Sequence, residues 1–246
     1  MTEKWSADPA VSAQIAALEE NYKIVTENIA QAAQKAGRNP QEITLLAATK
    51  TVPAPVINRA IELGITCIGE NKVQEFCEKY EQLNLANCDC HFIGRLQTNK
   101  VKYLIGKVSA IHSVDSVKLA QEISRLSQKQ NTVTQVLVQI NIGREESKGG
   151  IYLEDTEEFL LKIANFPGIS VQGLMTIPPA TANIPKINQY FENMYKKSVD
   201  IAAKKLDNIT INSLSMGMSA DYTQAIACGA TIVRLGSALF GQRIYT

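Results

Sequence analysis

The sequence predicts an α/β fold, a single (β/α)8 barrel preceded by an N-terminal helix, and three observations predict it. Eight short apolar or β-branched segments alternate with helical patterns at short connections, as expected of parallel strands joined by crossover helices. Polar residues recur at the carboxyl ends of those segments, where such barrels keep their working side chains. No glycine-rich G-x-G-x-x-G turn follows the first segment, which removes the main sign of an open, doubly wound dinucleotide-binding sheet. A chain of 246 residues suits one barrel, a fold that takes about 250.

In order, residues 1 to 9 are expected to be a disordered tail and residues 10 to 246 the barrel domain. Val11, Ile15, Leu18, Tyr22, Val25, Ile29 and Ala36 recur at helical spacing until Gly37 and Pro40 end the pattern. The run Ile43 to Ala48 is the first strand, and its continuous apolar character suits burial on both faces. Pro53 and Pro55 then open a helix to about Leu63. Strand two covers Thr66 to Ile68, followed by a helix from Val73 to Leu83. Strand three is His91 to Ile93, with a helix through Asn99 to Leu104, and strand four is Val108 to His112, with a helix from Ser116 to Gln128. Val133 to Ile142 is the clearest β-branched run and makes strand five, before the charged loop Gly143 to Gly150 and a helix from Leu153 to Ala164. Strand six is Ile169 to Leu174, with a helix from Ile184 to Leu206. Strand seven is Ile209 to Leu214, after which Ser219 is expected to cap a helix ending near Cys228. Thr231 to Leu235 is strand eight, and a brief helix follows Gly236.

Composition narrows the function. The chain is 45% hydrophobic and 20% charged, an ordinary globular balance. A net charge of +1 gives no electrostatic ground for nucleic acid or an anionic membrane as the main partner. The start MTEKWSADPA lacks a leader pattern and no apolar run is long enough to span a bilayer, so a cytoplasmic protein is expected. Five cysteines form an odd set without a disulfide framework, which fits a reducing compartment. Cys88, Cys90 and His91 lack a second pair at ligand spacing, so no zinc site is expected.

Lys50 stands directly after the first strand, where a barrel places its chemistry. A lysine partly removed from water there can attack a carbonyl compound and form a Schiff base; a solvated strand-end lysine is the plainer alternative. Asn71, His91, Asn141, Ser215 and Arg234 fall at the same rim in this reading. The loops after strands seven and eight read SMGMS and GSALFG, and those loops are the usual phosphate site of the fold. Each glycine or serine alone reads as a turn or cap residue, but together Ser215, Gly217, Gly236 and Ser237 converge as an anion cradle. A phosphate site facing a lysine suggests a ligand with a phosphate at one end and an aldehyde at the other, which is pyridoxal phosphate. Arg234 either makes a salt bridge in the barrel mouth or faces the pyridine nitrogen, where a guanidinium donates a hydrogen bond and leaves that nitrogen unprotonated.

The segments ATKT around Lys50, GENKVQE from Gly69, HFIGRLQTNK from His91, IHSVD from Ile111, GLM from Gly173, LSMGMSADY from Leu214 and VRLGSALFG from Val233 carry a resemblance through nearly the whole chain. The sequence resembles the pyridoxal phosphate homeostasis proteins, the YggS or PROSC-like family. The resemblance implies a fold-type III pyridoxal phosphate protein with a barrel of the alanine racemase N-terminal type. It also implies a monomeric or weakly associating protein with no established reaction and with pyridoxal phosphate-dependent apoenzymes as recipients. By that match Lys50 carries the aldimine, Asn71 lies beside the ring, Arg234 faces its nitrogen, and Ser215, Gly236 and Ser237 hold the phosphate. His91, Met175, Met216 and Gly217 complete the expected cofactor-binding set. Cys90 stands where the family commonly has tryptophan, a difference in local packing.

Two rival functions follow from the same residues: a pyridoxal phosphate-dependent amino-acid racemase or decarboxylase, and a phosphosugar enzyme without cofactor. Racemases of this barrel type carry a second, mostly β domain with a tyrosine base, which is not expected here because the chain ends at Thr246. His91 and Tyr222 are the nearest candidates for such a proton donor. The loop Gly143 to Gly150 is either a lid meeting an incoming ligand or an ordinary solvated loop.

Overall fold

Eight parallel strands, Thr44–Ala48 (β1), Cys67–Glu70 (β2), Asp89–Phe92 (β3), Ala110–Val114 (β4), Thr134–Ile140 (β5), Ile169–Thr176 (β6), Ile209–Ser215 (β7) and Ile232–Leu235 (β8), close into a barrel. Neighbours in the barrel are neighbours in sequence, and β8 pairs back onto β1 with Arg234 opposite Leu46. The computed structural model describes residues 8–241 apart from 147 and 181. Most of the tail expected over residues 1 to 9 therefore lies outside the described residues. Asp8 and Pro9 already belong to a helix start.

That helix, Pro9–Lys35 (α1), begins where Asp8 accepts the Ala10 N–H at 2.8 Å and Pro9 presets the first turn. Its stripe Leu18, Val25, Ile29 and Ala33 is buried. A fully buried leucine such as Leu18 contributes about 1.5–3 kcal/mol. The remaining helices are Ala54–Glu62 (α2), Val73–Lys79 (α3), Val117–Lys129 (α4), Thr156–Ile163 (α5), Ile184–Ala203 (α6), Tyr222–Ala227 (α7) and Ser237–Phe240 (α8). Between β3 and β4 the connection is a 3-10 helix, Thr98–Tyr103, where a helix over Asn99 to Leu104 is expected. Among the described residues no helix is long and apolar enough to cross a membrane.

Alternation along the strands sorts the core. Ala47, Ile68, Phe92, Ile111, Val136 and Val233 face outward and join the helices in one apolar cluster. Inside, Leu46, Cys67, Ile93 and Ile232 form one small group, and Ala110, Leu137 and Met175 another. Between these groups the interior holds polar side chains, His91, His112, Ser215 and Arg234, joined by hydrogen bonds.

Two expectations are corrected. Strand four runs Ala110–Val114 rather than Val108 to His112, because Val108 still closes a turn onto Leu104 O and pairing begins only when Ser109 N–H reaches Cys90 O. His112 is therefore interior, not the end of the strand. Ser219 does not cap the next helix either. Asp221 stands at the start of α7, while Ser219 Oγ accepts the Gly236 and Ala238 N–H groups at 3.3 and 3.1 Å.

Candidate functional site at the carboxyl mouth

Lys50 stands two residues past the end of β1, half-buried, and the residues on either side of it are clamped. Thr49 is fully buried and donates from Oγ1 to Glu70 Oε1 at 2.6 Å. Lys79, from α3, donates to the same carboxylate oxygen at 3.1 Å and to Thr49 O at 3.0 Å. This is a buried ion pair, and losing one partner would strand the other charge. The second carboxylate oxygen of Glu70 is buried without a partner.

On the other side Thr51 has φ 64°, a left-handed conformation that β-branched residues rarely adopt. Glu75 holds it there by accepting the Thr51 N–H at 3.0 Å. Burial pulls the Glu75 carboxyl up, but the Thr51 N–H, Lys72 and Lys79 outweigh it and keep the group below its ordinary value. The turn carrying Lys50 is thus fixed at both ends by side chains from β2 and α3.

Arg234 lies inside the mouth on β8, next to β1, and is 4% exposed. Its Nη1 donates to Ser215 Oγ at 2.6 Å and its Nη2 to Thr176 O at 2.8 Å. Both acceptors are neutral, and no carboxylate lies within ion-pair distance among the described residues. Burial pulls the guanidinium down to about 10, partly offset by the more distant Asp221. Asp221, itself pushed up by burial, accepts the Met218 N–H at 2.6 Å and so shapes the loop after β7. Gly217 in that loop has φ +93°, and a Cβ there would sit 2.6 Å from Ala225 Cβ, so only glycine fits.

The family model for the alanine racemase N-terminal domain matches residues 20–244. A pyridoxal phosphate homeostasis protein of Aquifex aeolicus is 45% identical over 226 residues, covering 92% of this chain and 98% of that one. A protein of the same name from Escherichia coli is 38% identical over 229 residues, covering 92% and 97%. PipY of Synechococcus elongatus, solved with pyridoxal phosphate bound, aligns with a TM-score of 0.76 and 29% identity, covering 87% of this chain and all of that one. The chain belongs to the pyridoxal phosphate homeostasis protein family.

Within this family's barrel, the residues singled out by sequence separate into groups. Lys50, Asn71 and Asn141 follow β1, β2 and β5, Ser215 ends β7, and Gly236 and Ser237 open α8. Ser215 is fully buried and committed to Arg234 and His112, so its hydroxyl is an interior group rather than a rim donor. Met175 packs inside the barrel against Ala110 and Leu137, whereas Met216 packs outward into the helical layer. Asn141 bonds the Glu145 N–H and the Glu145 and Lys148 carbonyls, which organises the charged loop after β5.

His91 is a correction. It does not lie at the carboxyl rim: its side chain turns into the barrel and lines a cavity of about 780 Å³ at the amino ends of the strands. Asp89 and His91 point inward while Cys90 between them packs outward, so the strand's alternation parts the cysteine from the histidine. Burial pushes the Cys90 thiol up to about 12. Sequence reading missed Glu70, Glu75 and Lys79. Glu70 and Glu75 stand in GENKVQE and Lys79 one helical turn after it, but only the packing of α3 beside the end of β1 shows which backbone these charges hold.

Proposed function

We propose that this protein binds pyridoxal phosphate at the carboxyl mouth, attaches it through Lys50, and keeps it available for apoenzymes as a monomeric carrier rather than turning over amino acids. The observation that carries the reading is Arg234, a buried cation on the strand beside the one that delivers Lys50, bonded among the described residues only to neutral acceptors. A guanidinium has five N–H donors and the protein's bonds from Arg234 engage Nη1 and Nη2, which leaves donors for a ring nitrogen. At the start of α8, the Gly236 and Ala238 N–H groups already converge on one oxygen, Ser219 Oγ. That hydroxyl oxygen stands in for the oxygen of an anion, so the amides fit a phosphate.

When bound, pyridoxal phosphate supplies an aldehyde that captures amines and a ring that withdraws electrons. Lys50 would hold the carbonyl end, Arg234 would donate to the ring nitrogen without protonating it, Gly236 and Ser237 would hold the phosphate, and Asn71 would lie beside the ring. A ring nitrogen facing a donor that keeps its proton is a weak electron sink, which disfavours racemisation and decarboxylation. Of the two proton donors suggested by motif, His91 lines the opposite mouth and Tyr222 packs with the helical layer.

Borohydride reduction of the loaded protein followed by peptide mapping tests the attachment: Lys50 is the labelled residue, and label on Lys72 or Lys148 with Lys50 untouched rejects it. The carrier reading is tested by α-proton exchange of amino acids in heavy water. Turnover on the order of 1 per second or faster would overturn it.

A further inference from the structure

A chain of polar groups runs through the barrel interior from one mouth to the other. From Arg234 Nη1 it passes to Ser215 Oγ at 2.6 Å, then to His112 Nδ1 at 3.1 Å, and from His112 Nε2 to His91 Nδ1 at 2.9 Å. Cys67 Sγ lies 3.6 Å from the same His91 nitrogen. Cys67 and His91 line the cavity at the amino ends of the strands, together with Thr44, Asp89 and Gln135. Ser215 and His112 are fully buried, and they meet across the barrel interior from β7 and β4, which two other strands separate.

The direction of every bond in this chain follows from one fixed point. A guanidinium can only donate, so Ser215 Oγ accepts from Arg234. The Ser215 hydroxyl proton then needs an acceptor, since an unpaired buried donor is costly, and His112 Nδ1 is the neighbour that offers one. That assignment puts the His112 proton on Nε2, from which it is donated to His91 Nδ1. The His91 proton in turn sits on Nε2, on the wall of the amino-end cavity. Both imidazoles are neutral in this arrangement. Burial, reinforced by His91 and Arg234, pushes His112 well below its ordinary value, and burial lowers His91 to about 4 against a small opposing pull from Asp89.

We propose that His112, acting through Ser215, is the positioning residue for the Arg234 guanidinium, and that His91 extends this relay to water at the barrel's amino mouth. The hydrogen bonds all point away from the buried cation, so each dipole presents its negative end toward Arg234. This spreads a charge that has no carboxylate partner among the described residues, and fixes the guanidinium plane through one Nη while Thr176 O fixes the other. The effect on cofactor rests on the reading that Arg234 faces the ring nitrogen. The relay itself does not.

Nitrogen-15 NMR of the cofactor-free protein decides the relay without any variant: His112 and His91 are both expected as neutral Nε2–H tautomers at pH 7. A proton on His112 Nδ1, or an imidazolium, overturns it. In the loaded protein, His112→Leu removes the acceptor and is expected to shift the cofactor's visible band and weaken binding about tenfold. His112→Asn, whose Oδ1 can take the place of Nδ1, is expected to restore the band. Folded His112→Leu protein with unchanged band and affinity rejects the positioning role. Arg234→Leu serves as the control: if it too changes neither band nor affinity, the failure lies with the placement of Arg234 at the ring, and the tautomers still judge the relay.

Discussion

The two mouths of this barrel are built on opposite plans. At the carboxyl mouth Lys50 sits between two clamped threonines, one in a left-handed conformation, with a buried ion pair beneath them. At the amino mouth the cavity is lined by hydroxyls, amides, thiols, a few apolar side chains, His91 and the carboxylates Glu42 and Asp89, and among the described residues no lysine or arginine lines it. A phosphate needs cations and amide donors, and an aldehyde needs an amine; among the described residues the carboxyl mouth brings together Lys50, Arg234 and the amides at the start of α8. Strain and buried charge are what single out the carboxyl mouth as the candidate site.

Removing the clamp tests the carboxyl mouth most severely. Glu70→Leu removes the buried carboxylate from Lys79, which keeps only Thr49 O at 3.0 Å and Glu75 at 3.8 Å, and the expected loss lies below the ~3–5 kcal/mol of a fully broken buried pair. Chemical denaturation measures that loss, and the same variant is expected to label more slowly at Lys50 during borohydride trapping. A Glu70→Leu protein as stable as the parent would remove the clamp from the account.

Acid tests the amino mouth. His91 is held near 4 in the folded chain against an ordinary 6.5, so the unfolded chain binds its proton first as the pH falls. The contribution of a neutral His91 is complete above pH 6.5 and is lost progressively between 6.5 and about 4. Each pH unit across that window is worth about 1.4 kcal/mol, which makes the loss on the order of 3 kcal/mol, and His91→Gln flattens it. Stability curves of the two proteins that remain parallel through this range would refute the buried neutral histidine.

Smaller effects separate the mouths further. Lys148 pairs with Glu145 and donates to Pro178 O at 3.2 Å, which straps the loop after β5 to the segment after β6. Lys148→Ala is expected to change stability by less than about 1 kcal/mol, as half-exposed pairs do, yet to alter the rate of cofactor transfer to an apoenzyme; equal rates would make the strap purely structural. Glu42→Gln, at the other mouth, is expected to leave cofactor affinity within about twofold. A larger change would mean that the amino mouth reaches the cofactor through charge as well as through the histidines.

The order of strands and helices, the placement of Lys50 and the loops that carry Gly217 and Gly236 were all legible in the sequence. Apolar runs interrupted by glycine and proline are local signals, and a parallel barrel assembles them in chain order. Which way the polar residues turn was settled only by the folded barrel. A strand buried on both faces carries no alternation of polarity to say which side is inside, and register shifts along β4 to β7 change the facing again. His91, the first residue of a conspicuous motif, thus faces the wrong mouth for the rim, and Ser215 commits its hydroxyl to Arg234 and His112. Ser219 reaches α8 instead of its own helix. The clamp of Lys50 and the His112–Ser215 contact join residues 21 to 103 positions apart. Such pairings leave no local trace, because closing the barrel, rather than any spacing along the chain, brings their strands together.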